Sequence, residues 1–119
     1  MNIQDIANNL VTWYNAGEID KITDLYSDKL VSIENDGEGH MARVEGLEAR
    51  KQKTEQWYNM VETHSMKASE PLVAANHFAI NFKFDTTFKE SGERMQMSEI
   101  AVYHVKDGKI VREQFWYGS

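Results

Sequence analysis

Residues 95–117 carry the pattern that most constrains this chain, a long β-hairpin. Two runs of alternating apolar and polar residues, 95–105 and 110–117, flank the tetrapeptide KDGK. An Asp-Gly pair between two alternating runs is a strong short-range signal for a hairpin. Because a lone strand pair of this length cannot bury its apolar face, the rest of the chain must supply further strands and a helical cover.

The remaining segments divide into helical and strand periodicities. Apolar residues recur at i, i+3 and i+4 in three segments and at every second position in three others. The helices are predicted at 2–16, 19–26 and 46–61, and the strands at 30–34, 62–75 and 78–85. Pro71 is expected to interrupt its strand, and Asn76-His77 to form a turn. The order α-α-β-α-β-β-β-β predicts an α+β domain with helices on one face of a mainly antiparallel sheet.

The composition limits the classes of function. With 119 residues the chain is predicted to be a single domain, 1–119, and its formal charge of −6 disfavours nucleic acid, whose phosphates select basic surfaces. Without cysteine it has no disulfide framework and no thiolate chemistry. The sequence has neither a signal-peptide pattern nor an apolar run approaching the ~18 residues of a membrane span. We therefore expect a cytoplasmic protein that binds neither nucleic acid nor membranes.

Four short motifs accompany this order of elements: NAGEID at 15–20, LYSD at 25–28, VEGL at 44–47 and DGKIV at 107–111. With them, the whole chain resembles the SnoaL-like branch of the nuclear transport factor 2-like superfamily. The resemblance implies a cone-shaped, strongly bent sheet wrapped around the first and third helices, with an apolar pocket at its open end. Ketosteroid isomerase, scytalone dehydratase, limonene epoxide hydrolase and polyketide cyclases use that pocket for acid–base chemistry on lipophilic molecules.

The family's catalytic positions are only partly retained. The resemblance places the isomerase general base on Glu34, where a carboxylate is kept. The two oxyanion donors of that family would fall on Leu10 and Ala101, which cannot donate, and the catalytic aspartate of the cyclases would fall on Phe115. Without oxyanion donors a developing enolate is not stabilised, so neither steroid isomerisation nor the known cyclase activity is expected.

The turn of the hairpin decides which residues face the pocket. A two-residue turn at 107–108 would place Glu99 and Tyr103 on the face of Arg112, Gln114 and Trp116. A three-residue turn at 106–108 with a bulge at Gly108 would place Glu99 and Tyr103 with Val111, Glu113, Phe115 and Tyr117 instead. We favour the second, because it makes one face mainly apolar and leaves the other mixed. A small-molecule pocket needs such an apolar face with a few polar groups.

Glu34, Glu99 and Glu113 are the candidate catalytic residues, because a carboxylate in an apolar pocket has a raised pKa and can exchange protons near neutral pH. The structural alternative for each is an ion pair with a nearby Arg or Lys, or a place at the solvated rim. The candidate substrate-binding residues are Tyr14, Met41, Trp57, Tyr58, Phe82, Tyr103, Phe115 and Tyr117. Aromatic side chains at these spacings are equally typical of a plain core.

Other polar residues are given structural roles. The four histidines have no spacing that would gather them as metal ligands, and neither a metal nor a cofactor is expected. His40 follows the glycine-rich loop and is interpreted as an exposed loop residue, with a proton carrier at the pocket mouth as the alternative. The cationic run 50–53 falls outside the apolar side of its helix, so it is predicted to be a solvated face.

Two functions follow from these observations. The first is a small SnoaL-like protein that binds a lipophilic small molecule in the conical pocket and catalyses cofactor-independent acid–base chemistry of isomerase, dehydratase, cyclase or hydrolase type. The alternative is a non-catalytic ligand-binding or dimerisation module. In either case the mixed convex face of the sheet, with Trp116 exposed, suits a homodimer interface.

Overall fold

The computed structural model describes residues 1–39 and 41–118. The helical elements are α1 (Ile3–Asn15), a 3₁₀ helix (Ile19–Leu25) and α2 (Leu47–Met60), and the strands are β1 (Tyr26–Glu34), β2 (Arg43–Glu45), β3 (Val61–Ala68), β4 (Leu72–Ala74), β5 (His77–Phe88), β6 (Arg94–Lys106) and β7 (Lys109–Trp116). The predicted α+β class and the order of elements are confirmed. The short strand β2 was not predicted, and Pro71 separates β3 from β4 as expected.

The strands form one sheet in the order β2-β1-β7-β6-β5-β3, with β4 paired to β5. Among the described strands only β1 and β7 run parallel, and the other pairs are antiparallel. Helix α2 contacts both β1 and β3, which are four strand positions apart in the sheet. A flat sheet would separate those strands by about 19 Å, whereas a helix with its side chains is about 10–12 Å wide. The sheet must therefore curl around the helix, which creates a concave face.

Helix α1 packs its apolar stripe into that concave face. Ile6, Ala7 and Leu10 are buried, and the Asn2 side chain caps the helix by accepting a hydrogen bond from the Asp5 backbone N–H. At the other end, the Asn15 side chain bonds both the N–H and the C=O of Ala68 in β3, at 2.8 and 3.2 Å. These contacts fix the end of α1 against the sheet.

The hairpin between β6 and β7 differs from our preferred turn but keeps the predicted faces. Lys106 pairs with Lys109 across a two-residue turn, and positive φ angles at Asp107 and Gly108 make it type I′. A β-bulge at Val111 then shifts the register. Beyond the bulge, Tyr103 pairs with Glu113 and Ala101 with Phe115, so these residues share one face, as predicted, although the pairs are not those of a three-residue turn.

The bulge has a packing consequence. Ile110 and Glu113 are both buried although they are three residues apart, which strict alternation along a strand forbids. Val111, which the three-residue turn placed on the pocket face, is the unpaired residue of the bulge and is not among the residues that line the cavity described below.

The turn predicted at Asn76-His77 is also displaced. Ala75 and Asn76 form it, with Ala75 at a positive φ, and His77 is the first residue of β5. There the His77 ring stacks on that of His104 in β6, with 4.5 Å between the ring centroids. The second helix is of 3₁₀ type and ends at Leu25, so Tyr26 belongs to β1.

Candidate functional site

A cavity of about 170 Å³ lies between the concave face of the sheet, α1 and α2. Its walls are mainly apolar, with side chains from Trp57, Met66, Phe84, Met97 and Phe115. A cavity of ~150 Å³ is large enough for benzene, whereas pockets for drug-sized ligands measure about 300–1,000 Å³. The cavity is therefore suited to a compact molecule of about one ring.

Glu113 lies in the cavity wall at the centre of a buried polar network. Its side chain is 1% exposed and accepts hydrogen bonds from the Tyr26 hydroxyl, from Ser32 Oγ at 2.7 Å and from Arg50 Nε at 2.9 Å. Arg50, 7% exposed, also donates from Nη2 to the Tyr26 oxygen at 3.1 Å and lies over the Tyr26 ring. Burial alone would raise the pKa of Glu113, but Arg50 and these donors hold it below its ordinary value. Glu113 is thus a fixed negative charge with a saturated set of partners.

Glu34 forms a second, weaker ion pair at the same wall. Its Oε2 lies 3.4 Å from Lys53 Nζ without hydrogen-bond geometry, and its Oε1 accepts a bond of 3.4 Å from the Tyr117 hydroxyl. Lys53 instead donates to Ser32 Oγ at 2.6 Å, which links this pair to the Glu113 network. Burial raises the pKa of Glu34, and Lys53 partly offsets that rise. The structural alternative of an ion pair is what we observe for Glu34 and Glu113.

Glu99 differs from both. Its carboxyl lines the cavity from β6 and makes no hydrogen bond or ion pair with any residue that the structure describes. Burial, followed by the negative charges of Glu34 and Glu113, raises the pKa of Glu99 to about 7. A carboxyl with this pKa exists in comparable amounts as acid and base at neutral pH, which is the condition for general acid–base work.

Tyrosine hydroxyls supply further donors around the cavity. Tyr14 on α1 and Tyr58 on α2 line it, and neither hydroxyl is hydrogen-bonded within the described parts of the chain. Burial raises the pKa of both phenols above 10, so they stay protonated. Burial and the nearby Glu34 raise the pKa of Tyr117 to about 12. The cavity therefore combines one free carboxyl with free hydroxyl donors inside apolar walls.

Five of the eight predicted substrate-binding residues line the cavity: Tyr14, Trp57, Tyr58, Phe115 and Tyr117. The other three do not line it. The Tyr14 ring packs against Phe82, with centroids 4.7 Å apart, and Phe82 is buried in the core. Tyr103 is covered by Phe78 and Phe115, and its hydroxyl has no hydrogen-bond partner among the described residues. Met41 lies in the turn before β2 with a positive φ and does not reach the wall.

The prediction that the cationic run 50–53 is a solvated face is wrong for two of its members. Arg50 is the buried residue of α2, and Lys53 reaches over the Phe115 ring. The missed signal was spacing, because Arg50 lies three residues after Leu47 and four before Thr54, on the stripe assigned to the core. Ser32 and Tyr26 were missed because the role of their hydroxyls, donating hydrogen bonds to Glu113, depends on a residue that is distant in the sequence. His40 falls outside the residues that the structure describes.

No described helix is long and apolar enough to cross a membrane.

Comparison with known proteins identifies the family of the chain more firmly than its short motifs do. The model of the SnoaL-like domain family matches residues 1–117. A search of curated proteins finds no significant match.

Solved structures agree with the family model. A Mesorhizobium loti protein described as a SnoaL-like polyketide cyclase is 38% identical, with 98% of this chain and 100% of that chain covered and a TM-score of 0.91. A Bacillus subtilis protein described as an isomerase is 20% identical over 99% and 90% of the two chains, with a TM-score of 0.76. A Xanthomonas campestris protein with a cystatin-like fold is 15% identical over 100% and 92%, with a TM-score of 0.79. The last two share the fold with this chain, and the family match over nearly its whole length shows that it belongs to the SnoaL-like family.

Proposed function

We propose that this protein binds a small, mostly apolar molecule in the cavity and moves a proton to or from it through Glu99. The observation that carries the proposal is a carboxyl group that lines a mainly apolar cavity, forms no ion pair with a described residue and has a pKa raised to about 7. The relative described as a SnoaL-like polyketide cyclase supports acid–base chemistry of this general class. Glu34 and Glu113 are assigned a supporting role, since their negative charges help to raise the pKa of Glu99.

The proposed step begins with ionised Glu99. The carboxylate takes a proton from the carbon next to a carbonyl group, the C–H electron pair forms the enolate double bond, and negative charge develops on oxygen. A hydroxyl of Tyr14 or Tyr58 donates a hydrogen bond to that oxygen and stabilises the charge. If the substrate is a β,γ-unsaturated ketone, the enolate is a dienolate, and protonated Glu99 returns the proton to the γ-carbon while the double bond moves to the α,β position, which completes an isomerisation without net change in atoms or electrons; with a simple ketone the proton returns to the same carbon and the result is exchange.

The placement of Tyr14 and Glu99 supports this assignment. The isomerase donor positions fall on Leu10 and Ala101, and both are buried and apolar. Tyr14 lies one helical turn after Leu10, and Glu99 lies two residues before Ala101 on the same face of β6. Phe82 joins them, because it pairs with Glu99 across the strands and packs on the Tyr14 ring. A tyrosine and a carboxyl group thus lie close together on α1 and β6, the two elements that carry the isomerase donor positions.

Deuterium incorporation from D₂O into a small aryl ketone, followed by proton NMR, tests the proposal. We expect the wild type to accelerate exchange, with a rate that rises as Glu99 ionises around pH 7. Glu99→Gln should lower the rate by about 10²–10⁴-fold. Glu93→Gln, at the exposed turn before β6, is the matched control and should exchange at the wild-type rate.

Two results would count against catalysis by Glu99. Equal exchange rates for the wild type and Glu99→Gln, with the ketone bound by both, would refute the assigned role. Binding without any exchange would favour the alternative, a ligand carrier that performs no chemistry.

We also propose that a second copy of this chain covers the convex face of the sheet. Ile100 and Trp116 lie directly opposite each other on β6 and β7 and are 51% and 46% exposed. Their neighbours Ser98, Val102 and Gln114 are uncharged, and charge depletion is typical of interface centres. In a two-fold dimer this patch would meet its own copy.

Sedimentation equilibrium tests the dimer. The wild type should sediment as a dimer and Trp116→Glu as a monomer, while Met60→Glu, at an exposed position of α2 on the other side of the sheet, should stay dimeric. A monomeric wild type would refute the proposal.

A further inference from the structure

A second, larger groove lies between the 3₁₀ helix and α2 and shares part of its wall with the cavity. Its volume is about 940 Å³, more than five times that of the cavity. Three α2 residues, Arg50, Thr54 and Tyr58, line both spaces. They are spaced at i, i+4 and i+8, so one stripe of a single helix separates the cavity from the groove.

The three side chains of this partition differ in how firmly they are held. Arg50 is fixed by Glu113 and Tyr26. Thr54 is short, and Tyr58 is half-buried with a hydroxyl that is not hydrogen-bonded within the described parts of the chain. Thr54 and Tyr58 are thus the two members of the partition whose side chains have no hydrogen bond to a described residue, and they lie next to each other on it.

The charges around the groove select what can occupy it. Among the described residues that line the groove, Asp20, Glu48 and Glu55 contribute three carboxylates, and Lys51 contributes one cation in addition to Arg50. Arg50 adds little, because Glu113 compensates its charge. The groove thus has an excess of negative charge and disfavours phosphate or carboxylate groups.

We propose that the ligand has two parts, a compact apolar head in the cavity and a tail that passes between Thr54 and Tyr58 into the groove. The tail carries neutral polar or cationic groups. The inference rests on the proposed function for the head, and it makes Thr54 and Tyr58 specificity-determining residues. In this arrangement one ligand occupies both the cavity of about 170 Å³ and the larger groove beside it.

A matched set of synthetic probes tests this proposal. Acetophenone supplies the head alone, and three derivatives carry a six-carbon 4-alkoxy chain that ends in hydroxyl, trimethylammonium or sulfonate. We expect the tailed probes with hydroxyl and trimethylammonium to shift the backbone amide signals of Thr23 and Glu55 as well as those at the cavity. The trimethylammonium probe should bind about threefold to fivefold more tightly than the sulfonate probe, as exposed charge pairs allow, and added salt should reduce the difference.

Variants of the partition and of the groove separate the contributions. Thr54→Leu should fill the gap and weaken the tailed probes by a larger factor than it weakens acetophenone, and Thr54→Val, with nearly the shape of threonine, is its control. The double variant Glu48→Gln/Glu55→Gln, at two exposed positions, should bind the ammonium and sulfonate probes equally.

Failure of this inference is distinguishable from failure of the proposed function. If acetophenone binds but the tails leave the Thr23 and Glu55 amides unshifted, the two-part ligand is refuted and the proposed function stands. If acetophenone itself does not bind in the cavity, both are overturned.

Discussion

Glu99→Gln is expected to stabilise the protein above pH 7 and to leave its stability unchanged below about pH 4. Burial and two neighbouring carboxylates raise the pKa of Glu99 from 4.5 to about 7, which corresponds to about 3 kcal/mol. The folded protein holds this proton more tightly than the unfolded chain does. The free energy of unfolding therefore falls as the pH rises through this interval, and the stabilisation present at low pH is lost above pH 7. Glutamine stays neutral and avoids that loss.

Urea denaturation of the wild type and Glu99→Gln between pH 4 and pH 8 measures the effect. The difference in unfolding free energy should grow from near zero to about 3 kcal/mol, or roughly 10 °C in Tm. Glu93→Gln controls for the loss of one negative charge at an exposed position and should show no such pH dependence. A Glu99→Gln difference that stays constant over this range would refute the placement of Glu99 in an apolar cavity.

Three other predictions concern the scaffold, and urea denaturation checks each. Arg50→Met should lower the free energy of unfolding by about 3–5 kcal/mol, because Glu113 is left buried and unpaired. The double variant Arg50→Met/Glu113→Leu should recover most of that loss, and an undiminished loss would contradict this account. Gly108→Ala should cost about 1–2 kcal/mol because of its φ of +75°, and Gly108→Asn should cost less. Asn15→Ala should cost roughly 1–3 kcal/mol, since the backbone groups of Ala68 lose their partners; an unchanged stability would show that solvent replaces these bonds.

The hairpin shows how far local sequence patterns reach. Alternation and an Asp-Gly pair predict two strands and a tight turn, and both are present. Apart from Val111, the faces were assigned correctly by requiring one apolar side, although the turn was wrong. The bulge at Val111 has no signature of its own in the sequence, because it arises from burying both Ile110 and Glu113.

The polar network marks the opposite case. A charged residue on a helix is solvated far more often than buried, so Arg50 was assigned to the surface. Its burial depends on Glu113, 63 residues away in the chain, and on the Tyr26 hydroxyl. Such a partner set exists only after the sheet has curled around α2, and no local pattern predicts it.

The division between cavity and core is likewise a tertiary property. Tyr14, Phe82 and Tyr103 all point to the inner side of the sheet, and the sequence treats them alike. Tyr14 covers Phe82, while Tyr103 is sealed under its aromatic neighbours. The packing of these rings on one another therefore determines which of them contacts the cavity.

The central claim is that Glu99 is a carboxyl group in an apolar cavity, poised to exchange protons near neutral pH. Carboxylate NMR titration of the side-chain carbon of Glu99 measures this directly, with the signal assigned through Glu99→Gln. We predict a pKa of about 7. Titration near the ordinary value of about 4.3 would contradict the account, because it would place the carboxylate in water or beside a cation.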